Sequence, residues 1–299
     1  MKFHVVRPRE LSPELLSEWR KIQNSDPVYR SPFYSHHFTR AVGQTRSDAF
    51  VAVIEIDGKV AGFFPYHRIR RGVAKPIGGP INDYQGPILT PEIDITPAEL
   101  LAGCGLAAYD YNHLPVSMTS FAADAHDYSV SPYMDLSDGY DAFVTSQSSK
   151  WSKAQREARR RRRRTEADIG PITFAFNDTS DASYLHHVES KNALFQKLGV
   201  KSVLDVAWVA ETLDIIRKID EPDFAGMMTT LHAGDKLISS HFGMRCGDIW
   251  HYWFPAYDLS LSKLGPGIAL LNEATQRADE AGIKIIDFGR GKLDYKVLF

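Results

Sequence analysis

The groups best able to do chemistry in this chain lie between Trp250 and Phe299. A strand-like run, Trp250-His251-Tyr252-Trp253-Phe254, leads through a short polar loop to Leu264-Gly265-Pro266-Gly267-Ile268. A helical pattern continues to Ala281, Gly282 interrupts it, and Ile283-Lys284-Ile285-Ile286-Asp287-Phe288 reads as a second strand. Strand, glycine loop, helix, strand is an order that gathers backbone N–H groups around a phosphate. It points to a coenzyme carrying a pyrophosphate, with Leu264, Gly265, Pro266, Gly267 and Ile268 as the cradle. An anion at such a helix start gains roughly 0.3–1 kcal/mol from the dipole alone. The alternative is a helix start whose glycines serve only the turn. His251, with an ordinary pKa of about 6.5, is suited to accept a proton, or is a structural strand histidine. Asp287 alternates with Ile286 and Phe288 and so faces away from them. It can orient a substrate or take a proton, or else cap Gly289-Arg290-Gly291. Arg290, between two glycines, suits an anionic group, and Lys296 can assist it.

The elements that must position these groups are legible. Gly265 serves as N-cap and Pro266 as first helical residue, where a missing N–H costs nothing. Ile268, Leu271, Ala274 or Thr275, Ala278 and Ala281 recur at helical spacing and form one buried stripe. Glu273 and Arg277 are expected to pair at i,i+4 on the solvent face, and Gly282 is a natural residue just past the helix end.

This block, closing in D-F-G-R-G-x3-Y-K-x2-F, resembles the acetyltransferase family related to the cellulose-biosynthesis protein CelD. That family is a branch of the GNAT superfamily and is close to the Fem-type aminoacyl transferases. The likeness is specific at the C-terminus and looser elsewhere, where it takes in Asp83-Tyr84-Gln85-Gly86 and the basic helix near 150–165. It implies an N-acyltransferase that moves an acyl group, chiefly acetyl, from acyl-CoA to an amino group of a sugar or polysaccharide precursor, by direct attack in a ternary complex. It also implies that Tyr295 is the acid; the alternative is an aromatic packed under the sheet. A phenol of pKa ~10 protonating a thiolate of pKa ~8.5 is uphill by roughly 2 kcal/mol, tolerable for a hydrogen-bond donor. Asp83 and Tyr84 fall where the family pattern places acceptor-side residues; the alternative is an Asx-type turn. Two other readings stay open: a Fem-type transferase drawing on aminoacyl-tRNA, and a non-catalytic GNAT-like binding module. A homodimer is left open as well. Relatives commonly continue past the Y-K-x2-F block, so the second sheet is expected to lack its final strands and to be degenerate or completed by another chain.

Composition bounds the rest. The chain has 299 residues, 43% hydrophobic and 24% charged, and a net charge of −2, which gives no bias toward DNA or a membrane surface. Cys104 and Cys246 form no motif, and a reducing cytoplasm fits. No run approaches the ~18 apolar residues of a membrane span, and residues 1–8 lack the apolar core of a signal peptide. Ser239-Ser240-His241 alternates faces and no G-x-S-x-G elbow exists, which argues against a serine hydrolase. His36-His37 and His186-His187 lack zinc spacing, and no metal is expected.

An α/β fold of mixed sheets, two GNAT-like units in tandem, is expected. Asp57-Gly58 within residues 50–66 and Gly234-Asp235 within 227–244 mark two hairpins. Helices are expected near 13–24, 97–109, 180–197, 205–218 and 267–281, with strands near 115–121 and 283–288. The order of elements repeats while residue identity does not. The units are drawn as 1–140, on the acceptor side, and 171–299, for the coenzyme, joined by a basic helical connector over 141–170. Its six arginines, Arg159 to Arg164, point around the whole helix. They make either a solvated charged face or a patch for coenzyme phosphates, a nucleotide-sugar or tRNA. Lys191 and Asn192 reach either a cleft or solvent.

Overall fold

The computed structural model describes residues 1–123 and 125–291. They form two compact units, Met1–Tyr128 with Ala207–Ile216, and Ser129–Val206 with the segment from Arg217.

The first unit runs β1 (Lys2–Val6), α1 (Pro13–Ser25), α2 (His36–Thr45), β2 (Ala49–Ile56), β3 (Lys59–Arg68), β4 (Val73–Pro76), β5 (Ile88–Leu89), α3 (Pro97–Gly103), β6 (Ala108–Tyr109) and α4 (Thr119–Ala122). The sheet order is β1-β2-β3-β4-β6, with β5 also on β3. Neighbours are antiparallel except β4 and β6, which are parallel across the α3 crossover. Asp57 and Gly58 both adopt positive φ, 50° and 76°, the mirror-image turn whose twist matches a tight hairpin. Helix α1 starts on Ser12, whose hydroxyl accepts the Leu15 N–H. Its inner face buries Trp19, stacked on Phe63 at 4.5 Å, with the indole N–H donating to Tyr34 O at 2.8 Å.

The second unit contains β7 (Tyr133–Asp135), α5 (Tyr140–Ser146), α6 (Ser149–Asp168), β8 (Ile172–Ala175), α7 (Asp181–Lys197), β9 (Asp220–Glu221), β10 (Phe224–Ala233), β11 (Lys236–Cys246), β12 (Ile249–Tyr257), α9 (Pro266–Gln276) and β13 (Ile285–Asp287). Its order is β7-β13-β12-β11-β10-β8, with β9 on β10. Here too, among the described residues, one neighbouring pair is parallel, β12 with β13, across α9. Each unit therefore has four antiparallel strands followed by a helical crossover to a parallel fifth, the repeat that the element order implied. In chain order α7 and α8 (Ala207–Ile216) stand between β8 and β10 as α1 and α2 stand between β1 and β2. Yet α8 belongs to the first unit, where Thr212 meets Thr45 of α2, Oγ1 to Oγ1, at 2.7 Å.

Three expectations are revised. The division falls at 128/129, not 140, because Met134 of β7 is fully buried in the second unit's core. The arginine helix α6 is part of that unit, with Trp151 buried in the same core. No strand forms over 115–121: Gly105, at φ 63°, ends the α3 turn early, so the parallel strand comes at Ala108–Tyr109. Pro115 then lacks the N–H a ladder needs, and the segment closes into α4.

The outer edge of β13 is not bare. β7 pairs with it antiparallel, Ile286 opposite Met134 and Asp287 opposite Tyr133. Phe288 N–H donates to Pro132 O and Gly291 N–H to Val130 O, both at 3.0 Å. A segment of this same chain fills the place expected to need another. Truncation of Met134 to alanine is therefore expected to destabilise the second unit by about 2–5 kcal/mol, read as a lowered urea midpoint.

Candidate active site

The site is built where β12 and β13 part. Their ladder comprises Ile249 with Ile285, Trp250 with Ile286 and His251 with Asp287. β12 then runs on to Tyr257 with no described strand along that edge. At the parting point β12 bulges: Phe242 pairs with Phe254 and Met244 with His251, so Gly243 alone faces Tyr252 and Trp253. A Cβ on Gly243 would lie 2.3 Å from His251 O and 2.5 Å from the His241 ring; only glycine lets the strands meet here. The His241 ring fills the bulge. Its Nε2 accepts the Trp253 N–H at 2.8 Å, and its plane stacks on Tyr252 at 3.9 Å and 4°.

His251 and Asp287, singled out separately in the sequence, come together. Both are buried, and His251 Nδ1 lies 3.3 Å from Asp287 Oδ2. The other carboxylate oxygen accepts the Gly289 N–H at 2.8 Å, so Asp287 both holds the imidazole and caps the glycine turn ahead of Arg290. Tyr295 and Lys296 lie outside the described residues.

Beyond Tyr257 the chain turns through Asp258, whose Oδ1 accepts the Ser260 N–H at 2.8 Å, and reaches Gly265 at φ 64° and ψ 45°. That left-handed residue aims the backbone into α9, with Pro266 at the first position. Thus Leu264 to Ile268 form a helix start at the open end of the β12–β13 gap. Space at Gly267 is free: an added Cβ would touch only Tyr257, at 3.5 Å.

The arginine run has an address the sequence did not reveal. A Cβ on Gly265 would sit 2.9 Å from Arg161 Nη1, so that guanidinium overhangs the helix start. Arg162 pairs with Glu273 of α9 and, at 3.2 Å, with Glu166. Arg160 and Arg161 share Glu157, each at 2.9 Å, and Arg164 meets Asp168 at 3.2 Å.

On α7, His187 is fully buried, with Nδ1 2.9 Å from Ser240 Oγ. Lys191 donates to Pro255 O at 2.9 Å, while Asn192 accepts the Ser202 hydroxyl at 2.6 Å. Burial pushes the His187 pKa down to about 3, assisted by the Lys191 and His186 charges. Burial also holds His241 well below the usual imidazole range and brings the Lys191 amine down to about 8. His187 and His241 stood out in the sequence only within motifs that fit neither a hydrolase nor zinc, since the place of each depends on a neighbouring strand.

Asp83 and Tyr84 belong to the first unit. Asn82 Oδ1 accepts the Tyr84 N–H at 2.7 Å, the Asx-type turn that was the alternative reading. Gln85 Oε1 accepts the N–H groups of Asn112 and His113 at 3.0 and 3.1 Å, which pins the loop. Asp83 Oδ1 lies 4.0 Å from His113 Nε2, and Tyr84 lines a small indentation with Phe33, Tyr34 and Tyr109.

Comparison with known proteins bears on the fold. Residues 152–297 match the family described as acetyltransferase (GNAT) domain. No curated protein shows a significant sequence match. Among solved structures, FemX superposes with a TM-score of 0.60 at 11% identity, over 98% of this chain and 90% of its own. The C-terminal domain of a putative lysylphosphatidylglycerol synthetase from Agrobacterium fabrum gives 0.54 at 14%, over 95% and 81%. A tandem GNAT protein of the clavulanic acid biosynthesis pathway gives 0.51 at 9%, over 98% and 90%. The fold is that of two GNAT-like units, and the second of them is the part of the chain that matches the GNAT acetyltransferase domain. Among the described residues no helix is long and apolar enough to cross a membrane.

The buried imidazoles set a pH dependence. His187 is neutral when folded, with a pKa of about 3, and takes a proton near 6.5 when unfolded. Its contribution is complete above that value and is lost as pH falls toward 3, at up to about 1.4 kcal/mol per pH unit. Urea midpoints are expected to drop steadily below pH 6.5, and His187→Gln is expected to flatten that slope.

Proposed function

We propose that the second unit transfers an acyl group from acyl-CoA to an amino group, with the first unit on the acceptor side. Three features of this unit support the reading: Arg161 beside the Gly265 start of α9, a β12–β13 ladder described only as far as His251, and the His251–Asp287 pair at its end. The residues present suit such a coenzyme. Backbone N–H groups of the first α9 turn and the Arg161 guanidinium answer a pyrophosphate, and Gly267 leaves room for it.

The chemistry asks the protein mainly for positioning. The acceptor nitrogen attacks the thioester carbonyl carbon, the C–S bond breaks, and coenzyme A leaves as thiolate. His251, held by Asp287, is the group we assign to take the ammonium proton. Tyr295 keeps its assignment as donor to the thiolate. Arg290, Lys296, Asp83 and Tyr84 keep theirs toward the acceptor. That acceptor we take to be an amino sugar or polysaccharide precursor in the cytoplasm, an assignment resting on the C-terminal block's resemblance. The Fem-type reading is weaker, because four of the six arginines are committed to carboxylates of their own unit and make a poor surface for tRNA.

Thermal unfolding with acetyl-CoA and with a longer acyl-CoA tests the reading. Ligand at 100 times its Kd stabilises by about 2.7 kcal/mol, a plain shift in Tm. Gly267→Phe is expected to abolish that shift while the protein stays folded, and Arg161→Ala to weaken it. A folded wild type indifferent to every acyl-CoA would overturn the proposal.

A further inference from the structure

Lys191 stands out among the charged side chains of the second unit. Its ammonium is held between the rings of Phe195 and Phe254, 5.0 and 5.9 Å from their centroids. It donates one hydrogen bond, to Pro255 O. Among the described residues it meets no carboxylate, and two of its three N–H bonds have no acceptor. Burying a cation this way is costly, and desolvation lowers its pKa accordingly.

The ladder tells where the amine lies. Asp258 N–H donates to Ile238 O at 3.1 Å. Antiparallel pairs alternate between bonded and non-bonded, so Asp258, Ala256 and Phe254 turn their polar groups toward β11. Pro255, opposite His241, turns its carbonyl the other way, to the edge that β13 has left. Lys191 therefore reaches over from α7 into the gap between the parted strands. At this register a residue other than proline would offer an N–H to whatever lies in the gap. Pro255 has none, and the amine stands beside the vacant position.

We infer that Lys191 supplies the donor that Pro255 lacks, and that it binds an amide carbonyl of the extended arm joining pyrophosphate to thioester in acyl-CoA. The inference rests on the coenzyme reading above. Position supports it: Pro255 lies on β12 between the His251 end, where the thioester must react, and the α9 start, where the phosphates would sit. An ammonium gives a carbonyl a charge-assisted hydrogen bond, stronger than a neutral one. Lys191 is on this view a positioning and affinity residue, remote from the reacting atoms.

Calorimetric titration with coenzyme A, and with adenosine 3′,5′-bisphosphate, which lacks the arm, separates the possibilities. Lys191→Met keeps the volume and removes the donor. Its Kd for coenzyme A is expected to rise about ten- to a hundred-fold, with the bisphosphate Kd unchanged. Lys191→Gln, which retains N–H donors, is expected to recover part of the loss. Pro255→Ala in the Lys191→Met background, which restores a backbone N–H, is expected to recover part as well. A wild type that binds coenzyme A and a folded Lys191→Met variant that binds it equally well would overturn the inference. So would equal losses for both ligands. A wild type that binds neither ligand would instead overturn the coenzyme reading, and this inference with it.

Discussion

The second unit depends on one constraint: among the described residues, β12 and β13 are held together over three residue pairs. Parallel strands need a crossover, and α9 provides it, so the chain leaving β12 must swing out and return beside its own start. The strands stay joined at the N-terminal part of β12 and open past His251. Three features assigned to chemistry in this unit lie along that opening. The His–Asp pair closes its inner end, the Gly265 turn stands at its outer end, and Lys191 reaches its middle. The bulge at Tyr252–Trp253 lies at the point where the ladder stops. His241 fills it and Gly243 makes it sterically possible. A bulge adds twist and bends its strand, which turns the remainder of β12 away from β13.

Opening a sheet leaves an edge, and edges invite unwanted pairing. The unit covers the far side of β13 with β7, drawn from the segment that follows the first unit, and packs Met134 beneath it. On the β13 side, the edge of β12 beyond His251 has no described strand beside it. Covering one edge while leaving the other open is what a groove for an extended molecule requires.

Charge is handled locally. The arginine run of α6 does not spread its field over the surface, because Glu157, Glu166, Asp168 and Glu273 answer it. Surface pairs of this kind contribute little stability each, yet together with Glu273 they fix α6 against α9 and bring Arg161 over Gly265. Across the sheet, burial keeps His187 and His241 neutral. Lys191 then meets no neighbouring imidazolium, and among the described residues its hydrogen bond to Pro255 O is the one it makes.

Local chemistry sufficed for much of this. Asp57-Gly58 and Gly234-Asp235 announced their hairpins because few residues tolerate positive φ. Gly265-Pro266 announced the start of α9, because a left-handed glycine followed by a proline pre-set for the first turn is a local signal. The facing of Asp287 followed from the period of a strand. The strand proposed over 115–121 failed for an equally local reason, the early stop at Gly105. What residues near in sequence cannot decide is who lies across the ladder. The meeting of His251 with Asp287, the ring of His241 in a bulge one strand away, the capping of β13 by Tyr133–Asp135 and the return of α8 to the first unit are all long-range pairings. The same holds for Lys191. A lysine on a helix reads as a surface charge until the register of β12 turns the Pro255 carbonyl toward it, and that register exists only once the sheet has formed.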